Sequence, residues 1–345
     1  MMRRVVEFFW GPADPRAYAL VRMALAIGGA VNLIDLWPHR FELYASSGMI
    51  PLDAVHASMN GIRYLSVFDH VGSDAGVTAI FVAAAASLVA LGLGVFPRVA
   101  AALVFVWHLS SSHRAPPIVH GWDHILRAYS LLVLVSPMPN VWSLGRRGQR
   151  TGPTEAPPAY GLRLMQWQLA IIYMTTVWQK VPDAYWRNGQ LLAYFSVSLF
   201  SRTPTAVLLV RHEWLSAVGT YVSLAIEAAI PWLLWFRRTR PLGLLAGFGL
   251  HFLVAVTARI AIFSTCMLIP YAAFLESPDI DWLSALARAR RPREFVSLLL
   301  AGRSRRASRE EGAAASASSS EANEANEANR SVVRSASHPG SIGPA

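Results

Sequence analysis

The stretch YALVRMALAIGGAVNLIDL, residues 18–36, is apolar along nearly its whole length, broken only by Arg22, Asn32 and Asp35. A bilayer core about 30 Å thick takes roughly 20 apolar residues as a helix, so this run is long enough to cross one. The whole chain agrees with that reading. Of its 345 residues 54% are hydrophobic and only 15% are charged, which is not the composition of soluble domains. Working outward, further runs of the same kind follow at Gly76 to Phe96, Arg98 to Ser112, Asp123 to Pro139, Leu162 to Lys180, Ser216 to Phe236, Leu242 to Ala258 and Ile260 to Leu275. The expected fold is an all-α polytopic membrane bundle of about eight spans, the third and last of them short, with re-entrant or interfacial helices outside.

Charge supplies a second, independent pattern. Arg3 and Arg4 precede the first run, Arg146, Arg147 and Arg150 follow the fourth, Arg237, Arg238 and Arg240 follow the sixth, and Arg288, Arg290, Arg291 and Arg293 follow the last. With eight spans these all fall on one side, which the positive-inside rule makes cytoplasmic together with both termini. The segment 37–75 falls on the other side, where Glu42, Asp53, Asp69 and Asp74 outweigh Arg40 and Arg63. The formal charge of +10 is therefore a sidedness signal, not a nucleic-acid surface. MMRRVVEFFWGPADP has too short an apolar run for a cleavable leader, so the first span is expected to direct insertion.

Three regions are expected. Residues 1–276 form the membrane domain. Residues 277–302, including IDWLSALARARRPREFVSLLLAG, mix apolar and arginine residues as a helix lying on an anionic membrane face does. Residues 303–345, with EANEANEAN and Ala/Ser tracts, have too little apolar surface to fold. Segments 37–75 and 181–215 contain apolar stretches bounded by Pro and Gly and are expected to cover the outer mouth of the bundle, enclosing a cavity there.

Ionisable groups inside spans face the bundle interior and find partners. Arg22 and Asp35 lie about 20 Å apart along one helix, so each is expected to meet a different helix. Glu227 and His251 lie at similar depths in neighbouring spans and could touch. Of the 10 histidines, His39, His56, His70, His108, His113, His120, His124 and His212 are expected in outer loops or at outer helix ends. His120 and His124 in HGWDHILR share a helix face if the helix starts by His120. That pair with Asp123 is a thin ligand set for zinc, and a membrane di-iron site would need several more histidine boxes, so no metal is expected. The one cysteine, Cys266, reads as apolar packing.

The sharpest observation is TTVWQKVPDAYWRNG, residues 175–189: of 31 lysines and arginines, only Lys180 is a lysine. Pro182 disfavours helix at the residue before it, so the span should end near Lys180. A cation there suits the last helix carbonyls and the interface, but arginine would serve as well. Arginine cannot release its proton, whereas an apolar setting disfavours an ammonium and leaves an amine able to accept one. Lys180 is thus the candidate base, unless an ion pair with Asp183 holds the ammonium.

DPRAYALVRMALAIGGAVNLID with SSGMIP, GWDHILRAYSLLVLVSP with WSL, MQWQLAIIYMTTVWQKVPDAYWRNGQLLAYF and LHFLVAVTARIAIFSTCMLIP together resemble the horizontally transferred transmembrane domain, the membrane domain of vitamin K-dependent gamma-carboxylase and its bacterial relatives. The resemblance implies that Lys180 deprotonates a reduced vitamin K-type quinone, whose oxygenation then drives proton removal from a peptide glutamate and its carboxylation. It implies His124 as the assisting catalytic residue and His251, Arg127 and Trp186 as cofactor-binding residues. It also implies a bacterial inner membrane, the bilayer and a lipid-soluble quinol as partners, a peptide or protein as substrate, and no nucleic acid. The alternative reading is a non-enzymatic lipid- or quinone-binding membrane component with Lys180 as an anchor.

Overall fold

The computed structural model describes residues 2–58, 65–144, 156–201, 207–209 and 211–288. In chain order its helices are α1 (Met2–Trp10), α2 (Pro15–Leu36), α3 (Arg40–Tyr44), α4 (Leu52–Ser58), α5 (Asp74–Leu93), α6 (Pro97–Arg114), α7 (Gly121–Val135), α8 (Tyr160–Lys180), α9 (Ala184–Arg187), α10 (Leu191–Ser196), α11 (Glu213–Trp235), α12 (Arg240–Thr257), α13 (Ala261–Met267) and α14 (Ser277–Arg288). Among the described residues there is no strand beyond two isolated bridges, Pro12 with Pro158 and Ser201 with Ala258. The chain is an all-helical membrane bundle.

Local sequence explains where the helices begin and end. Asp14 caps α2 by accepting from the Arg16 backbone N–H at 2.8 Å, and Pro15 follows at the first helical position, where its missing N–H costs nothing. Ser73 caps α5 by accepting from the Gly76 N–H at 3.2 Å. Gly94 ends α5 at φ 69°, a left-handed conformation that a residue with a Cβ adopts only under strain.

Among the described residues four helices are long and apolar enough to cross a bilayer: α2, α5, α11 and α12. The other expected spans are helical where the sequence places them but are shorter or more polar. α6 ends in SSSHR, α7 runs only from Gly121 to Val135, and α8 carries Arg163, Gln166, Gln168, Gln179 and Lys180. The last expected span is not one continuous α-helix: α13 stops at Met267 and a 3-10 turn, Pro270–Phe274, continues it. Pro270 is the reason, since it cannot donate to the preceding turn.

α2 is the most enclosed of the four long helices and α12 the least. α2 packs on α5 and α7, α6 joins α5 to α7, and α11 lies between α8 and α12. α13 and the 3-10 turn lie against α2, α7, α8 and α12 and so join the two halves. The outward faces stay apolar, with Ile27, Val89, Ile171, Val222 and Phe252 all exposed, as lipid contact requires. The outer segments fold as short helices, α3 and α4 in one and α9 and α10 in the other.

Arg22 satisfies the expectation of a buried tie. Its guanidinium donates to the Leu91 carbonyl, to the Gly92 carbonyl at 2.9 Å and to the Trp142 carbonyl at 3.1 Å, filling acceptors that the end of α5 leaves open. Asp35 does not behave as expected. It lies exposed one residue before the end of α2, without a hydrogen bond or ion pair among the described residues, because the helix end lets its carboxylate point away from the bundle. A separate unit starts at Pro278. Most of the expected surface segment 277–302 and the whole tail 303–345 lie outside the described residues.

Candidate functional site

α8 stops where Pro182 requires: its last residue is Lys180, and the Val181 N–H still reaches the Val177 carbonyl at 3.0 Å. Asp183 then caps the short helix α9, accepting from the backbone N–H groups of Tyr185 at 3.0 Å and Trp186 at 3.2 Å. That engagement takes Asp183 away from Lys180. It also turns Trp186 back, so that the Lys180 Nζ lies 4.4 Å from its ring centroid.

The carboxylate that meets Lys180 is Glu227, from the middle of α11. The two side chains keep only 23% and 13% of their surface open, so this is a largely enclosed ion pair, not a surface one. The possible contact of Glu227 with His251 is not seen as a hydrogen bond. Glu227 spends its acceptor on the lysine, and His251 turns to a tyrosine.

That tyrosine is Tyr173, about two turns before Lys180 on α8. Its hydroxyl lies 2.7 Å from His251 Nε2 and 2.6 Å from the Tyr271 hydroxyl, and all three side chains are buried. A phenol has one proton, so the group is a directional chain: either Tyr271 donates to Tyr173 and Tyr173 to His251, or the order is reversed. In both cases His251 Nδ1 is left buried without a partner. Tyr271 reaches this position because α12 has no side chain at Gly247, where a Cβ would stand 2.1 Å from the Tyr271 hydroxyl.

The histidine expected to assist Lys180 has another partner. His124, exposed in the first turns of α7, has its Nδ1 3.0 Å from Arg127 Nη2, and no hydrogen bond among the described residues joins it to Lys180. Arg127 thus partners His124, while Trp186 partners Lys180. Phe263 lies between the α7 start and His251, its ring 5.8 Å from His251 and 3.4 Å from where a Cβ on Gly121 would be. His120 caps α7 instead of lying within it, its ring against Trp122 at 4.3 Å. His108 lies in the last third of α6, buried, with Nε2 unpartnered among the described residues. Among the described residues no three His, Cys, Asp or Glu side chains converge on a metal-sized site.

Two hollows lie away from the expected outer mouth, whose covering segments fall in part (59–64, 202–206 and 210) outside the described residues. One of about 640 Å³ lies between α1 and Trp167, towards the opposite end of α8 from Lys180. A smaller one adjoins Arg22 and Ser136. Neither is lined by Lys180, Trp186 or His251.

The profile of the HTTM domain matches residues 10–282, which take in every helix from α2 to α13. The chain belongs to the HTTM domain family. No curated protein and no solved structure matches it. The HTTM region contains both the Lys180–Glu227 pair and the buried Tyr173–His251–Tyr271 chain. Glu227 and Tyr271 were the partners that sequence reading did not assign. A carboxylate inside an apolar span was the one available signal for Glu227, and it did not say which cation it would meet.

Proposed function

We propose that this HTTM protein is a membrane-embedded, quinol-dependent proton-abstracting enzyme resembling vitamin K-dependent gamma-carboxylase, with Lys180 and Glu227 as its proton-handling pair. The supporting observation is the chain's only lysine held against a carboxylate, with Trp186 beneath it, at the end of a membrane helix. One proton passing from the ammonium to the Glu227 carboxylate leaves a neutral amine and a neutral acid. In an enclosed site that exchange removes two charges at once, which lowers its cost. The amine can then accept a proton from an acidic hydroxyl beside it. The Trp186 face offers a flat aromatic surface to a quinol ring.

The donor set fits a quinol: an amine–carboxylate pair for one hydroxyl, and the orphan His251 Nδ1 for a polar atom reaching the interior. When bound, a reduced quinone supplies the reducing equivalents and oxygen chemistry that no side chain provides. The chain's own part is to orient the ring against Trp186, hold the first proton on Glu227 and take the quinol proton at the Lys180 amine. His124 and Arg127 form a separate polar pair at the start of α7, suited to an anionic substrate group such as a peptide carboxylate or bicarbonate. Arginine-rich segments on one side support cytoplasmic termini in a bacterial inner membrane, with Lys180 on the far side.

A second reading is favoured by the lack of a Lys180–His124 hydrogen bond: the ion pair is a tie between α8 and α11 in a non-enzymatic lipid- or quinone-binding protein. Oxygen uptake by purified protein given reduced naphthoquinone separates the two. The enzyme reading expects uptake that falls at least about 100-fold in Lys180→Arg, with quinol binding retained. Uptake unchanged by the substitution, or absent from wild type that binds quinol, leaves the second reading.

A further inference from the structure

α1 is the least explained element of the fold. Its sequence MRRVVEFFW puts Val5, Phe8 and Phe9 on one face and buries none of its residues. Phe8 is nevertheless fixed in place: its ring lies 4.5 Å from the Arg163 guanidinium carbon and 6.4 Å from the Trp235 ring, and its carbonyl accepts from Arg163 Nε at 3.3 Å. The following segment is tied as well, with the Ala13 N–H donating to the Pro157 carbonyl at 2.8 Å and the Ala159 N–H to the Gly11 carbonyl at 3.0 Å. α1 therefore stands off α8 at a set position, and the hollow between them is lined by Arg4, Val5, Phe8, Phe9 and Trp167.

The chemistry of that lining is one cation and four apolar or aromatic side chains. Its volume of about 640 Å³ lies within the range of small-ligand sites, roughly 300–1,000 Å³. Trp167 in its lining and Trp10, whose ring lies 5.9 Å from that of Phe9, are both exposed, and amphipathic aromatics of this kind are enriched at headgroup depth. Glu7, the one carboxylate on α1, is absent from the lining. A site with an apolar floor, a single cation at its edge and a position at headgroup depth matches an amphiphile with a negative head.

We propose that this hollow binds one anionic phospholipid, with its headgroup on Arg4 and the upper part of an acyl chain against Phe8, Phe9 and Trp167. The site is separate from the Lys180–Glu227 pair and does not depend on the function proposed for it. The lipid completes the packing of α1, an amphipathic helix whose apolar face the protein covers only in part, at Phe8 and Phe9.

Native mass spectrometry of the full chain, released from nanodiscs holding equal amounts of phosphatidylglycerol and phosphatidylcholine, tests this. Wild type is expected to retain one lipid, with phosphatidylglycerol favoured by about five-fold, the factor that one cation beside a headgroup supplies. Arg4→Gln removes the preference while a lipid is still retained, and Val5→Trp, which fills the hollow, removes the bound lipid with Arg4 intact. The proposal is overturned if Arg4→Gln keeps the preference, if Val5→Trp still carries the lipid, or if wild type emerges without lipid, whether as a monomer or as a dimer that covers the hollow with a second copy.

Discussion

The Lys180–Glu227 pair makes a quantitative prediction that needs no assumption about activity. Lys180→Met and Glu227→Gln each remove one charge while keeping most of the side-chain volume, and the double variant removes both. An exposed pair contributes about 0.2–1 kcal/mol, whereas breaking a buried one costs about 3–5 kcal/mol because a charge is stranded. With side-chain exposures of 23% and 13%, this pair sits between those limits. Each single substitution is expected to cost about 2–3 kcal/mol, and the double variant to recover most of it, giving a coupling of about 2 kcal/mol. Unfolding of the four proteins by titration of dodecyl sulfate into mixed micelles measures this directly. Lys180→Arg keeps an ion pair and should unfold near wild type, so loss of turnover in that variant would not reflect collapse of the bundle. If the two single effects add within about 0.5 kcal/mol, the side chains are not coupled and the reasoning fails.

Two further outcomes follow from local geometry. Gly247→Ala places a Cβ 2.1 Å from the Tyr271 hydroxyl, so Tyr271 must move and its hydrogen bond to Tyr173 is lost. The expected cost is about 1–3 kcal/mol in the same unfolding assay. Gly249→Ala, where nothing lies within 4 Å, is expected to be neutral or to stabilise by up to about 1 kcal/mol; equal effects at the two positions would contradict the packing described. Asp14, outside the spans, supplies a pH test. Burial pulls its carboxyl upward, but hydrogen bonds from Arg16 and Ser277 and the charge of Arg16 outweigh it and hold the group below its usual 3.8. A lowered folded value means the contribution is present above the unfolded value and is lost as pH falls through the folded one. The deficit of Asp14→Ala against wild type, about 1 kcal/mol at neutral pH, should shrink on acidification below pH 3.8.

What the sequence disclosed was whatever depends on neighbours along the chain. Asp14 followed by Pro15, and Lys180 followed by Pro182, marked the start of α2 and the end of α8 because capping and the proline clash act within a few residues. The apolar runs located the helices, since the cost of a polar backbone in lipid applies to each segment by itself. Partners set by three-dimensional packing were not legible. Nothing local to Glu227 distinguishes Lys180 from His251 as its neighbour, and the choice rests on how α11 lies between α8 and α12. Tyr271 joins the buried chain only because Gly247, on another helix, leaves room for it. Asp35 was misjudged for a related reason. Depth in a span was read from position in sequence, while burial depends on which face of the helix a residue occupies.

Because Lys180 is the only lysine, labelling lysine at Nζ with nitrogen-15 yields a single side-chain resonance from the intact protein in nanodiscs. The account predicts that this resonance moves when reduced naphthoquinone is added, and that the movement is lost in Glu227→Gln. A resonance that stays in place as quinol is added, in protein that binds it, would contradict the claim that Lys180 is the group that takes the proton.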